Sequence, residues 1–200
     1  MATQDRPRKT FKRIGIFGGT FDPIHYGHLR IAESAAREMK LDRVIFVPSR
    51  RPPHKNVRSL TKAWHRLAMV RRAIQGYPKF SVSAIEVNRS GKSYSIDTIR
   101  HFRRLFPKST KLFYMMGLDA FKGINQWKDV EEIQKQVELI VVNRPGFAKP
   151  FKKSGLHFLE RPVMDTSSSD VRRQLQAGKP KKGIVPTAVE QYIEEEELYR

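Results

Sequence analysis

Short apolar runs, each cut off near a turn residue and followed by a helix-patterned stretch, constrain this 200-residue chain more than any other feature. Ile14–Phe17 stops at Gly18-Gly19, Val44–Val47 at Pro48, Lys111–Met116 at Gly117, and Leu139–Val142 just before Arg144-Pro145-Gly146. Runs this short and this continuously apolar suit strands buried on both faces of a sheet. Between them Leu29, Ala32, Ala35, Ala36 and Met39 recur at helical spacing. Lys62–Ile74 and Ser93–Phe106 also read as helices, the second stopped by Pro107, and helical pieces occupy Ala120–Gln136 around Trp127. Phe80–Val87 reads as a further strand with Phe80, Val82 and Ala84 on one side, and Leu156–Leu159 as a weaker one. This alternation predicts an α/β fold, a doubly wound parallel sheet in a single domain over residues 14–200, behind a flexible basic lead-in, residues 1–13. Ligands of such sheets sit at the carboxyl ends of the strands, so the stretches starting at Gly18, Pro48, Gly117 and Ser167 are expected to meet in one cleft.

Composition narrows the chemistry. Hydrophobic residues make up 39% and charged residues 30% of the chain, as in a globular protein. No apolar run is long enough to cross a bilayer and Met1–Lys12 lack a signal-peptide core, so the cytoplasm is the expected compartment and no membrane partner is expected. Absence of cysteine excludes disulfides, thiolate nucleophiles and thiolate metal sites. The net charge of +19 attracts polyanions, and phosphorylated metabolites answer that field as well as nucleic acid does. No Asp or Glu occurs from Arg43 to Ile85, where Arg43, Arg50, Arg51, Lys55, Arg58, Lys62, Arg66, Arg71, Arg72 and Lys79 lie, which puts basic residues next to the first bend.

That bend is Gly18-Gly19-Thr20-Phe21-Asp22-Pro23-Ile24-His25-Tyr26-Gly27-His28, a strand end, a turn and a helix start. Glycine admits a ligand close to the backbone, and amides at a bend or helix N-terminus favour anionic oxygens. Two imidazoles three residues apart then face the same place from one helix start. The spacing of Gly15, Gly18 and Gly19 is not a dinucleotide fingerprint, and no P-loop lysine follows. Gly91-Lys92-Ser93 imitates a P-loop end, but Glu86 stands where its first glycine is required. Further on, Ser167-Ser168-Ser169-Asp170 offers a helix cap, a positive helix terminus, and Arg172 in the first turn for a bidentate phosphate contact.

Taken together, Gly-Gly-Thr-Phe-Asp-Pro-x-His-x-Gly-His resembles the nucleotidyltransferase superfamily marked by His-x-Gly-His, which is Rossmann-like. Thr166-Ser167-Ser168-Ser169-Asp170-Val171-Arg172 is similar to its second motif, with Ser169 keeping a hydroxyl and Arg172 the charge. Pro52-Pro53-His54-Lys55, Ser93-Tyr94-Ser95-x-Asp97-Thr98, Gly117-x-Asp119, Trp127 and Arg144-Pro145-Gly146-Phe147 follow in the order found in bacterial nicotinate mononucleotide adenylyltransferases. That resemblance implies joining of ATP to nicotinate mononucleotide in NAD biosynthesis, by in-line attack without a covalent enzyme intermediate. It implies His25, His28 and Arg172 as catalytic, Gly18, Gly19, Thr20, Phe21, Ser168, Ser169 and Asp119 as ATP-binding, and Lys55, Ser95 and Trp127 as mononucleotide-binding. Ser95 stands where a threonine is usual, and Met115 and Met116 stand for isoleucines, as core substitutions of small consequence. Magnesium is expected on the phosphates, without a dedicated protein metal site. Pantetheine-phosphate adenylyltransferases and cytidylyltransferases share the first motif, but Ser93-Tyr94-Ser95 and Trp127 argue against them. Class I aminoacyl-tRNA synthetases need domains for which 200 residues leave no room. A nucleic-acid-binding module would account for the charge, but no aromatic-rich strand pattern of the RNA-recognition type occurs. Acid or amide preference, the oligomeric state and the role of the Glu194–Glu197 run stay open at this stage.

Overall fold

The computed structural model describes residues 11–53, 60–143, 154–160, 167–177 and 183–200. Its strands are β1 (Arg13–Gly19), β2 (Arg43–Pro48), β3 (Phe80–Val82), β4 (Lys111–Gly117), β5 (Glu138–Asn143) and β6 (Leu156–Glu160). Its helices are α1 (Tyr26–Glu38), α2 (Ala63–Ala73), α3 (Ser95–Leu105), α4 (Leu118–Lys122), α5 (Val130–Gln136), α6 (Ser168–Gln176) and α7 (Thr187–Glu195). The strands form one sheet in the order β3-β2-β1-β4-β5-β6, and each neighbouring pair is parallel. This is the expected doubly wound Rossmann-like α/β sheet in a single domain. Strand order reverses between β1 and β4, which makes their carboxyl ends, Gly19 and Gly117, the walls of the crevice such sheets provide.

Alternation along each strand sends residues to two cores. Phe17, Val44, Phe46, Phe113 and Met115 pack with Leu29, Ala32, Met69 and Val189 on one face. Ile14, Ile16, Ile45, Val47, Leu112, Tyr114 and Met116 pack with Ile96, Ile99, Phe102 and Ile133 on the other. All of these are buried. Among the described residues no helix is long and apolar enough to cross a membrane.

Helix α2 lies within one residue of each end that its pattern predicts. Three expectations change. The strand expected over Phe80–Val87 stops at Val82, because the chain turns inward: Asn88 N–H donates to Ala84 O at 2.9 Å and Ile85 N–H to Ser83 Oγ at 3.3 Å. The turn buries Glu86, which accepts a 2.6 Å hydrogen bond from Thr98 Oγ1. Helix α3 begins at Ser95 rather than Ser93, whose hydroxyl instead accepts from the amides of Arg50 and Arg51 at 3.1 and 3.2 Å. The basic stretch is also divided between the two ends of the sheet. Arg50, Arg51 and Lys62 lie past the carboxyl end of β2, while Arg43, Arg71, Arg72 and Lys79 are carried to the far end, since a helix returning from a parallel strand ends where the next strand begins.

Helix α7 carries no motif and packs Val189, Tyr192 and Ile193 inward, with Tyr192 Oη 2.9 Å from His65 Nδ1 of α2. Of the Glu194–Glu197 run, Glu194 and Glu195 end this helix and Glu196 and Glu197 follow it, all four exposed.

Candidate active site

β1 ends in two glycines for reasons of packing as well as access. A Cβ on Gly18 would lie 2.5 Å from the Tyr114 hydroxyl, and one on Gly19 would lie 2.7 Å from the Phe21 ring. Phe21 has φ of 50°, in the left-handed region, and its side chain is buried against Phe17 and Phe46 with His28 edge-on at 5.1 Å. The bend thus turns its ring into the core while its backbone crosses the carboxyl edge of the sheet.

Buried charge holds the bend in place. Arg66 of α2 is 1% exposed, and its guanidinium donates to the carbonyls of Thr20 at 2.6 Å, Thr61 at 2.8 Å and Arg50 at 3.4 Å. Burial lowers its pKa, and the carboxylate of Asp22 opposes that effect. Asp22 is itself buried, accepting from Tyr199 Oη at 2.6 Å and from Thr61 N–H at 3.3 Å. Burial, then Asp22, raises the Tyr199 phenol far above its usual range, so it remains a donor.

His25 caps α1, and His28 Nδ1 accepts from the His25 backbone N–H at 3.3 Å. With Nδ1 accepting, the neutral His28 ring carries its proton on Nε2, which makes that atom a donor. The two imidazole centroids are 3.9 Å apart.

A cavity of about 290 Å³ brings His25 and His28 together with Gly18, Gly19, Phe21, Asp119 and Ser168. A second, of about 220 Å³, brings Thr20, Ser95 and Trp127 together with Gly18 and Gly19, and also admits Tyr94, Tyr114, Gln126 and Lys128. The two meet across Gly18, Gly19 and Gly117, which line both. Met115 and Met116, expected as core alone, are buried and also form wall of the second cavity. Trp127 stands perpendicular to Tyr114, ring centroids 6.0 Å apart.

Ser169 and Arg172 line neither cavity. Arg172 donates to Asp22 O at 2.7 Å and to Ser169 Oγ at 3.2 Å, while Ser168 Oγ donates to Pro23 O at 3.0 Å. The second motif therefore clamps the outside of the first. Ser167, absent from the expected set, lines the histidine cavity and caps α6. Lys55, His54, Thr166 and Arg144–Phe147 fall outside the described residues, as does most of the lead-in. Among the described residues no three His, Asp or Glu gather to hold a metal ion.

Tyr114, Arg66 and Tyr199 were missed by pattern reading. Tyr114 reads as one more apolar-strand residue, and nothing local connects Tyr199 to Asp22, 177 positions away.

Residues 16–174 match the family model described as cytidylyltransferase-like. The chain is 40% identical over 200 residues to the probable nicotinate-nucleotide adenylyltransferase of Desulfitobacterium hafniense, covering 94% of this chain and 96% of that protein. It is 42% identical over 190 residues to the probable nicotinate-nucleotide adenylyltransferase of Thermus thermophilus, covering 94% and 100%. The solved structure of Plasmodium falciparum nicotinic acid mononucleotide adenylyltransferase complexed with NaAD matches with a TM-score of 0.77 at 23% identity, over 94% of this chain and 97% of that one, a likeness of fold.

The α6 cap makes a pH prediction. Hydrogen bonds from the Ser167 hydroxyl and amide, then Arg173, hold the Asp170 carboxyl at about 2 against an ordinary 3.8. A depressed carboxyl stabilises fully above 3.8, and the contribution fades as pH falls toward about 2. In hydrogen exchange, amides of α6 are expected to lose protection across that window, and Asp170→Asn should abolish the pH dependence. Protection unchanged through the window would disprove the assignment.

Proposed function

The chain belongs to the nicotinate-nucleotide adenylyltransferase family, and we propose that it joins ATP to nicotinate mononucleotide, forming nicotinate adenine dinucleotide and pyrophosphate in NAD biosynthesis. One observation carries this reading: two cavities of different character share a wall of three glycines at the carboxyl ends of β1 and β4. The first has paired imidazoles and the start of α6, which suit a triphosphate. The second has aromatic walls, hydroxyls and Lys128, which suit a ring bearing a phosphate and a polar group. Glycine at the junction lets two reacting phosphates approach with no side chain between them.

A phosphate oxygen of the mononucleotide attacks the α-phosphorus of ATP in line. The new P–O bond forms as the bond to the bridging β-phosphate oxygen breaks, and pyrophosphate departs with that electron pair. No protein nucleophile takes part, so the enzyme works by positioning and by stabilising charge. His28 donates from Nε2 and His25 supports it at the triphosphate. The Gly18–Phe21 backbone cradles the phosphates, with Asp119 and Ser168 on the same cavity wall. Arg172, with its guanidinium also held by Ser169 Oγ, fixes the Asp22-Pro23 turn together with Ser168 and adds positive potential. Trp127 stacks on the pyridine ring, Ser95 bonds its carboxylate, and Lys55 meets the mononucleotide phosphate. The donor set, hydroxyls and imidazoles with Asp119 as the cavity's carboxylate among the described residues, fits a magnesium ion carried on substrate phosphates rather than a protein cage. Bound there, magnesium would neutralise charge on the departing pyrophosphate. ATP and the mononucleotide are the partners, the cytoplasm is the compartment where both meet, and nucleic acid is not a partner.

Purified protein with ATP, magnesium and nicotinate mononucleotide should release pyrophosphate and form the dinucleotide. No release with either the acid or the amide mononucleotide sinks the reading. His28→Ala should lower kcat by roughly 10² to 10³, the cost of deleting one donor to developing charge. An alanine variant with full turnover takes His28 out of the mechanism. Trp127→Ala should raise KM for the mononucleotide more than KM for ATP, and equal rises would refute stacking.

A further inference from the structure

We propose that Tyr114 is a positioning residue that sets the preference for an aromatic carboxylate over the corresponding carboxamide, acting through the Ser95 hydroxyl. The proposal rests on the function proposed above and goes beyond it, since acid or amide preference is not fixed by the motifs.

The Tyr114 hydroxyl is wedged between two site elements. It lies 2.9 Å from Ser95 Oγ, and 2.5 Å from where a Cβ on Gly18 would be. Tyr114 is 5% exposed, and Ser95 Oγ is the hydrogen-bond partner of its hydroxyl among the described residues. Burial, with Glu86 adding to it, drives the phenol's ionisation well above the usual range, so the proton stays on.

Either hydroxyl can donate across this contact; Tyr114 is the more deeply buried of the two and has Ser95 as its partner, so the arrangement that leaves no buried proton unpaired has Tyr114 donating and Ser95 accepting. The Ser95 proton is then directed away from Tyr114, and Ser95 lines the mononucleotide cavity. Accepting one hydrogen bond polarises the hydroxyl and strengthens the one it gives. A hydroxyl so fixed is matched to a carboxylate, which takes the proton as a charge-assisted bond. A carboxamide turned to present its NH₂ leaves that proton without an acceptor, and one turned to present its carbonyl forms only a neutral bond. The carboxylate on the same wall, Glu86, accepts from Thr98 Oγ1 at 2.6 Å and is 4% exposed, so its hydrogen bonding is directed inward. Serine at position 95, without the methyl of threonine, therefore need not leave a loose pocket, because the phenol below it fixes the hydroxyl.

The test compares kcat/KM for nicotinate and nicotinamide mononucleotides, at saturating ATP, in the unmodified chain, Tyr114→Phe, Ser95→Ala and the double variant. Tyr114→Phe keeps the ring and should reduce the acid-to-amide ratio roughly tenfold, the effect of losing the alignment of one hydrogen bond to a charged group. KM for ATP should change by less than about twofold. The double variant should show the same ratio as Ser95→Ala, because Tyr114 has nothing to orient once the hydroxyl is gone. A merely structural tyrosine would lower both kcat/KM values alike. An unchanged ratio in Tyr114→Phe overturns the proposal, as do additive losses in the double variant. Where Tyr114→Phe proves too unstable to assay, Ser95→Ala alone must reduce the ratio, and an unaffected ratio there overturns it equally. A protein that turns over neither mononucleotide removes the functional reading and this proposal with it, whereas an active protein with an unaffected ratio removes the proposal alone.

Discussion

A buried guanidinium, that of Arg66, ties the cleft together. Taking a cation out of water costs several kcal/mol unless its donors are matched, and here they meet the carbonyls of Thr20, Thr61 and Arg50. Those carbonyls belong to the bend after β1, the approach to α2 and the loop after β2. One side chain therefore fixes the relative position of three segments, beyond the last β1–β2 ladder contact, Ser49 N–H to Gly19 O at 2.9 Å. Asp22 balances the charge and is held in turn by Tyr199, so the penultimate residue of the chain braces the first motif. On the other side Arg172 and Ser168 take the carbonyls of Asp22 and Pro23. The carbonyl oxygens of Thr20, Asp22 and Pro23 would repel a phosphate, and each is occupied by a donor. Binding an anion at such a bend depends on this as much as on the amides that face it.

The glycines look different in this light. A Gly-Gly after a strand suggests a backbone cleared for a ligand, and Gly18 and Gly19 do line both cavities. Their missing side chains are also filled from within the protein, by the Tyr114 hydroxyl under Gly18 and the Phe21 ring against Gly19. Close packing beneath the bend keeps the backbone from collapsing into the sheet. Clearance above and support below are then two consequences of one residue choice.

The sheet was legible in the sequence because each element announces itself locally. Four apolar runs gave four strands near their expected bounds, and Lys62–Ile74 gave α2 because its pattern has period 3.6 over three turns. Phe80–Val87 misled because Val82 and Ala84 continue a two-residue alternation, while the event that ends β3, the burial of Glu86 on Thr98, is a contact between side chains twelve residues apart. The motifs located both walls of the cleft. What they could not show is how those walls are held, since Arg66 reads as one arginine in a basic run and Tyr199 as a terminal aromatic. Ser169 and Arg172 illustrate the same limit: their residue types suggest phosphate binding, and in this structure Arg172 donates to the first motif at Asp22 O while Ser169 Oγ accepts from Arg172.

Two anionic substrates have to be brought within bonding distance, and neither the count of lysines and arginines nor the net charge of +19 does this. Arg43, Arg71, Arg72 and Lys79 sit at the opposite end of the sheet, and screening over such distances leaves them little influence on the reacting atoms. The cations that matter for position are Arg66, buried beneath Thr20, and Arg172, set against the carbonyl of Asp22. Both act on the bend through backbone carbonyls and stay out of both cavities, so their positive potential reaches the shared glycine wall without a side chain blocking it. Around Arg66 a low-dielectric surrounding strengthens that potential, and for both arginines the fixed carbonyl contacts remove the reorganisation that a mobile surface arginine would need. A lysine at either position would keep the charge but lose the planar fork that reaches two or three acceptors at once, and with it the geometry of the bend.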